Sequence, residues 1–256
     1  MRKIPLKTAR DIDTMRASSR IVAEVLSLIG ERVRPGVTTR ELDEFAEEYI
    51  RLQGGEPAFK GYGHDRNNLF PATLCVSLDD EVVHGIPSGR RLKEGQVVSV
   101  DVGVKKDGFF GDGARTFAVG RIRDEKLRLL RVTEEALYRG IAKAHAGNHL
   151  HDVSAAVQEH VEAAGFSVVR DLVGHGIGRS LHEEPAVPNY GAGGTGILLE
   201  AGMVLAIEPI VNAGTYRVQI ESDGWTVRTA DGKPSAHFEH TVVVLKGEAE
   251  ILTRHG

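Results

Sequence analysis

Four carboxylates and one imidazole stand in segments that otherwise read as apolar strands. Asp101 interrupts VVSVDVGV, and Asp112 lies on the return limb of a hairpin. His175 sits in GHGIG, Glu208 closes MVLAIEP, and Glu239 opens FEHTVVVL. A charge taken out of water costs several kcal/mol unless something compensates it. Five such groups in separate segments point to one shared compensator, and a pair of divalent metal ions is the economical one. Four carboxylates bring about −4 and two dications +4, which leaves the centre near neutral. An oxygen-rich set with one imidazole and no thiolate suits Mn, Fe, Co or Zn. Two such ions activate a shared water and clamp a tetrahedral intermediate, so the chemistry indicated is hydrolysis. Each residue alone also has a plainer reading: a solvated hairpin face, a structural histidine, charges at strand ends. Together those readings require five coincidences.

The elements that would position these groups follow a repeated order. Helical spacing runs over 12–34 (Met15, Ile21, Val22, Val25, Leu28, Ile29) and stops at Pro35-Gly36. Thr38-Thr39 caps a second helix that runs to Gly54-Gly55. Extended segments are expected at 72–78, 97–105 and 109–119. The second half repeats the pattern, with helices at 124–146 and 152–164 and extended segments at 167–173, 203–211, 225–229 and 238–245. Helix, helix, then strands, twice over, indicates an α+β fold with two related halves around one sheet. Asp107-Gly108 is a strong two-residue hairpin turn. That turn sets Asp101 opposite Ala114, with Asp112 its diagonal neighbour. A turn one residue earlier sets the two aspartates directly opposite. In either register both carboxylates project from one face.

Composition limits the alternatives. Over 256 residues, 41% hydrophobic and 27% charged content is that of a soluble globular chain. A net charge of −4 gives no global basic surface for DNA or anionic lipid. One cysteine, Cys75, excludes an internal disulfide and fits a reducing compartment. The start MRKIPLKTARDIDTMR lacks the apolar core of a signal peptide, and no apolar run approaches membrane-spanning length. The expectation is a cytoplasmic chain, whole as given, without DNA or membrane partners. GHGIG is G-x-G-x-G rather than the dinucleotide fingerprint, and HEEP is not the zinc motif H-E-x-x-H. His84 in EVVHGIP and His182 in GRSLHEEP sit in loops near the expected centre. An imidazole there could bond a scissile amide or steady its oxyanion, and surface loop histidines are the plainer reading.

The segments EVVHGIP, SVDVGVKKDGFFGDGARTF, GHGIGRSLHEEP, LAIEPIVNAG and WTVRTADGKPSAHFEHTVVV, in this order over nearly the whole chain, resemble the successive motifs of type I methionine aminopeptidases, in the short bacterial form. The resemblance implies the pita-bread (creatinase/aminopeptidase) fold, two pseudo-symmetric halves around a curved, mainly antiparallel sheet. It implies a single catalytic domain over 1–256 that removes the initiator methionine from nascent proteins, preferring a small second residue. The family's five metal ligands fall on Asp101, Asp112, His175, Glu208 and Glu239, for two divalent ions (Co, Mn, Fe or Zn). Its two active-site histidines fall on His84 and His182, and Glu208 would also shuttle a proton. Tyr62, Cys75 and Trp225, with Leu181 beside them, would line an apolar methionine pocket. The partners implied are nascent N-termini and a transient ribosome contact, with the enzyme a monomer.

The sequence departs from the family's pattern in three places. GYGHDRNNLFPATLC is longer than usual, with His64, Asp65, Arg66, Asn67 and Asn68 as extra residues beside the expected pocket. Leu181 stands where phenylalanine is common. Gly113 stands where Thr or Ser is common, so a hydrogen bond beside Asp112 is expected to be missing. Two rivals carry different outcomes: a proline-specific peptidase or prolidase of the same fold, and a non-catalytic binding protein on that fold.

Overall fold

The computed structural model describes residues 4–63 and 65–254. Its four helices are α1 (Ala9–Arg32), α2 (Thr39–Leu52), α3 (Asp124–Ile141) and α4 (Leu150–Ala163). Capping side chains decide where the first two begin. The Thr8 hydroxyl accepts the Asp11 N–H at 3.2 Å, and the Asp11 carboxylate accepts the Thr8 N–H at 3.0 Å. Thr38 and Glu41 make the same reciprocal pair at the start of α2. Each pair satisfies two orphan N–H groups of a first turn, a device worth about 1 kcal/mol. Thr8 therefore starts α1 three residues before the expected position. The third helix ends five residues earlier than its apolar spacing suggests, because the Ala146 N–H turns away to Leu245 and Gly147 takes φ +98°. α4 begins early because the Asp152 carboxylate accepts the His149 N–H at 2.7 Å.

The main sheet has nine strands, all paired antiparallel. Its path runs Glu56–Pro57, Val97–Lys106, Phe109–Ala118, Glu239–Val243, Val204–Ile207, Gly174–Gly176, Glu183–Val187. Leu74–Leu78 joins Val97–Lys106, and Glu250–Ile251 joins Glu239–Val243. Two three-stranded sheets flank it. One holds Ser235–His237, Ile210–Asn212 and Ser167–Val168; the other holds Val218–Ile220, Val227–Thr229 and Glu81–Val83.

Alternation along the strands sorts side chains between the faces. Val98, Val100, Val102 and Val104 pack with Ile21, Val25, Leu42 and Ile50 of α1 and α2. In the second half, Leu205, Ile207 and Val242 pack with Leu129, Val132, Val153 and Val157 of α3 and α4. Burying each such aliphatic side chain is worth about 1.5–3 kcal/mol. Both helix pairs thus cover the same face, and the intervening residues Asp101, Gly103, Ala206, Glu208, Glu239 and Thr241 are left to the other.

One expected strand is broken, and another is preceded by a short strand of a different sheet. The segment 203–211 breaks at Glu208-Pro209, and the segment 238–245 forms Glu239–Val243, separated by Phe238 from the strand Ser235–His237. At Glu208-Pro209 the chain crosses from the main sheet to a small one, and at Phe238 it crosses back. Proline, which has no N–H to donate, enforces the break. The expected strand 167–173 shortens to Ser167–Val168, and His175 lies inside the short strand Gly174–Gly176.

Candidate metal centre

The hairpin turn falls at Asp107-Gly108, with φ +51° and +80°, and pairs Asp101 with Ala114. The alternative register, with the aspartates opposite each other, does not occur. A row runs across the sheet from Cys75 to Asp101, Ala114 and Glu239. Glu208 follows Ile207, the partner of His240, and extends that row by one strand. Two residues along, a second row holds Gly103, Asp112, Thr241, Ala206 and His175. The Thr241 hydroxyl closes it, accepting the Asp112 N–H at 3.0 Å and bonding the Asp112 carbonyl at 2.8 Å. Small residues alternate with the charged ones and leave them room. At Gly103 an added Cβ would lie 2.7 Å from the Phe59 ring, so glycine there admits a wall of the pocket.

All eleven residues singled out in the sequence line one pocket of about 150 Å³, together with Phe59 and Phe70. One ligand atom each from Asp112, His175 and Glu239 lies within 4.8 Å of the others. His175 Nε2 is 3.9 Å from Asp112 Oδ2 and 3.7 Å from Glu208 Oε1. Its Nδ1 donates to the Gly176 carbonyl at 2.9 Å, so Nε2 faces the carboxylates as an acceptor. Acceptors therefore face acceptors. Asp101 Oδ1 and Glu239 Oε1 are buried without a hydrogen-bond partner among the described residues. Burial foremost pushes the Asp101 carboxyl up to about 7, against a backbone bond from Val102 and one with Asp112. Burial, then Asp101 and Glu208, holds Asp112 well above the ordinary carboxyl range. Burial and Asp101 do the same to Glu208; burial and all three other carboxylates do it to Glu239. Burial and His182 press His175 down to about 3, so its imidazole is neutral. A neutral imidazole whose other nitrogen donates to a carbonyl, beside four crowded carboxylates, is a donor set that fits divalent cations.

The other side chains complete the pocket. His84 follows the strand Glu81–Val83 with φ +58°, a conformation unusual for a side-chain-bearing residue. Burial, then His182, brings it down to about 4. Gly85 is required next to it, since a Cβ would lie 2.4 Å from the Val76 carbonyl oxygen. His182 Nδ1 bonds the Tyr62 hydroxyl at 2.5 Å, and the His182 ring lies 4.2 Å from the His175 ring. Leu181 and Cys75 are buried, and the Cys75 thiol is pushed well up by burial and Asp101. Phe70 meets the Trp225 ring edge-on at 5.2 Å. Of the extra loop, His64 lies outside the described residues. Asn68 accepts the Trp225 indole N–H at 3.2 Å and donates to the Asp223 carbonyl at 3.1 Å, so the loop braces the pocket wall.

Two readings change at this level. The backbone N–H of Gly113 itself donates to Asp112 Oδ1 at 3.0 Å. A Cβ at 113 would point at Val22, 2.9 Å away, so a hydroxyl there would be directed at α1 and not at the centre. The other concerns Glu239, whose plainer reading as a charge at a strand end fails, since His237 lies on the same side of the chain. The His237 Nε2 is buried, 3.7 Å from Glu208 Oε2 and 3.9 Å from Glu239 Oε2. Phe59, Phe70 and His237 were the residues missed; the parity of His237 with Glu239 was its available signal.

Comparison with known proteins agrees with this geometry. The model of metallopeptidase family M24 matches residues 13–246. A methionine aminopeptidase of Clostridium perfringens is 55% identical over 251 residues, covering 98% of each chain. The crystal structure of the methionine aminopeptidase of Thermotoga maritima superposes with a TM-score of 0.95 at 44% identity, covering 99% of this chain and 100% of that one. The prolidase of Pyrococcus furiosus shares the fold at 22% identity and a TM-score of 0.78, and the chain spans 66% of its length. On the full-length match at this identity, the chain belongs to metallopeptidase family M24 and, within it, to the methionine aminopeptidases.

Proposed function

We propose that this chain is a dinuclear metal-dependent aminopeptidase that removes the N-terminal methionine of nascent polypeptides, preferring a small second residue. The observation that carries this is a carboxylate-imidazole cluster with orphaned buried oxygens, set against a cup formed by Tyr62, Phe70, Cys75, Leu181 and Trp225. Asp101, Asp112, His175, Glu208 and Glu239 would hold two divalent ions, of Co, Mn, Fe or Zn. Bound there, the ions supply polarisation of the scissile carbonyl and a nucleophile available at neutral pH.

The chain's own residues do the rest. The acidic cluster binds the substrate's free α-amino group, which restricts cleavage to the first peptide bond. The unbranched thioether enters the aromatic cup, where sulfur and rings make favourable contacts. Glu208 takes the proton of the attacking water and delivers it to the departing amine. His182, whose Nδ1 bonds the Tyr62 hydroxyl, steadies the developing oxyanion. His84, held by its left-handed backbone, contacts the amide nitrogen. The proposed setting is cytoplasmic, with one catalytic domain over 1–256 acting as a monomer and touching the ribosome transiently.

Release of methionine from Met-Ala-Ser, compared with cleavage of Ala-Pro, tests the reading. Metal-loaded protein should release methionine and leave Ala-Pro intact, and Asp112→Ala should abolish the release. Cleavage of Ala-Pro alone would assign the chain to the proline-specific rival; cleavage of neither peptide would favour a binding protein.

A further inference from the structure

His237 ends the strand Ser235–His237, two residues before Glu239. Thr116 clamps its main chain: the His237 N–H donates to the threonine hydroxyl at 2.9 Å, and that hydroxyl bonds the His237 carbonyl at 2.8 Å. Ser99 supports the clamp at 2.8 Å from the Thr116 hydroxyl. The side chain is 2% exposed, and its Nε2 has no hydrogen-bond partner among the described residues. That atom faces one oxygen of Glu208 at 3.7 Å and one of Glu239 at 3.9 Å. A normal N–H···O bond is about 2.7–3.2 Å. A buried, unpaired imidazole nitrogen thus lies just out of bonding range of one oxygen from each of two glutamates. A buried polar atom left unpaired is costly, so the His237 nitrogen calls for a partner.

We propose that His237 is a positioning residue for the metal-binding carboxylates, its Nε2–H donating to the oxygens of Glu208 and Glu239 that the cations do not take. This rests on the metal-centre reading above. A carboxylate that gives one oxygen to a cation keeps free lone pairs on the other. A fixed donor behind it selects one rotamer and lowers the entropy lost on metal binding. His237 suits the role because the Thr116 clamp, and not the metal, sets its position.

The test places donors at different points on the side chain and measures Mn²⁺ affinity by titration calorimetry. Melting of metal-free protein checks that each variant folds. His237→Gln carries an amide N–H where Nε2 stands and should bind Mn²⁺ within about threefold of wild type, whereas His237→Phe and His237→Asn should bind about 10–100-fold more weakly. Should Phe fail to fold, the contrast between Gln and Asn still decides. Gln as weak as Asn, or all variants as tight as wild type, overturns the proposal. Failure of wild-type protein to bind Mn²⁺ removes the metal centre itself, and this inference with it.

Discussion

Asp101 and Asp112 share one face of a hairpin, two residues out of register; Asp101 raises the cost of ionising Asp112, whereas the hydrogen bond between them eases that of Asp101. Without metal, the folded chain favours the protonated form of Asp101, with a pKa of about 7 caused first by burial. An unfolded aspartate titrates near ~3.9. A folded pKa above the unfolded one means the native state binds more protons in that window, so the group's contribution is full below about pH 4 and is lost as pH rises through 7. The buried histidines slope the other way below their ordinary range, so the wild-type curve alone mixes both signs. Subtracting the Asp101→Asn curve isolates the aspartate. In chelator, Asp101→Asn should gain on wild type in urea midpoint between about pH 4 and 8. With saturating Mn²⁺ the order should reverse, because the substitution removes a ligand. A metal-free difference that stays flat with pH would contradict the burial of an ionisable Asp101.

At the scale of elements, the loop between the strands Gly174–Gly176 and Glu183–Val187 carries Leu181 and His182, and the N-terminal segment holds it in place. The Lys7 ammonium meets Glu183 at 2.5 Å with both side chains largely buried, and Arg179 meets Asp11 at 3.1 Å. The other Glu183 oxygen accepts the Arg179 and Ser180 N–H groups, closing the loop. Breaking a buried ion pair by removing one partner costs about 3–5 kcal/mol. Lys7→Met should therefore lower stability and cut kcat for Met-Ala-Ser several-fold, with Mn²⁺ affinity unchanged. Lys7→Arg should restore part of the rate, and Lys7→Met should cost no further activity in a His182→Ala background. An additive loss in that double variant would show that Lys7 does not act through His182. None of this bracing was legible in the sequence, because a contact across 176 residues leaves no local pattern. The hairpin was legible, since Asp107-Gly108 sets its register and alternation then sends Asp101 and Asp112 to one face. The helices were legible to within a few residues at their ends. The crossings at Glu208-Pro209 and Phe238 were not, because a strand that changes sheets keeps its apolar composition and only its partners change.

Across the whole molecule, the five proposed ligands come from both halves. Asp101 and Asp112 stand on strands backed by α1 and α2, whereas Glu208 and Glu239 stand at strand ends backed by α3 and α4. Each helix pair has its own apolar core. A third apolar cluster, from Met15 and Phe59 to Val204 and Val243, joins the halves beside the pocket. On the sheet face between them four carboxyl groups are buried together, so in metal-free protein their ionisation opposes folding at the junction. A cation there turns that opposition into a cross-link between segments far apart in sequence. A ligand that binds only the folded state at 100 times its Kd stabilises by about 2.7 kcal/mol. For a chain of this size, 1 kcal/mol shifts Tm by about 2–4 °C. Mn²⁺ at that excess should therefore raise Tm by roughly 5–10 °C over protein stripped with chelator. The shift should grow with metal concentration and vanish in Glu239→Ala. Hydrogen exchange locates the effect: protection should rise in both Val97–Lys106 and Val204–Ile207, one strand from each half. Protection confined to one half would mean that the ion does not bridge them, and the five residues would not form one centre.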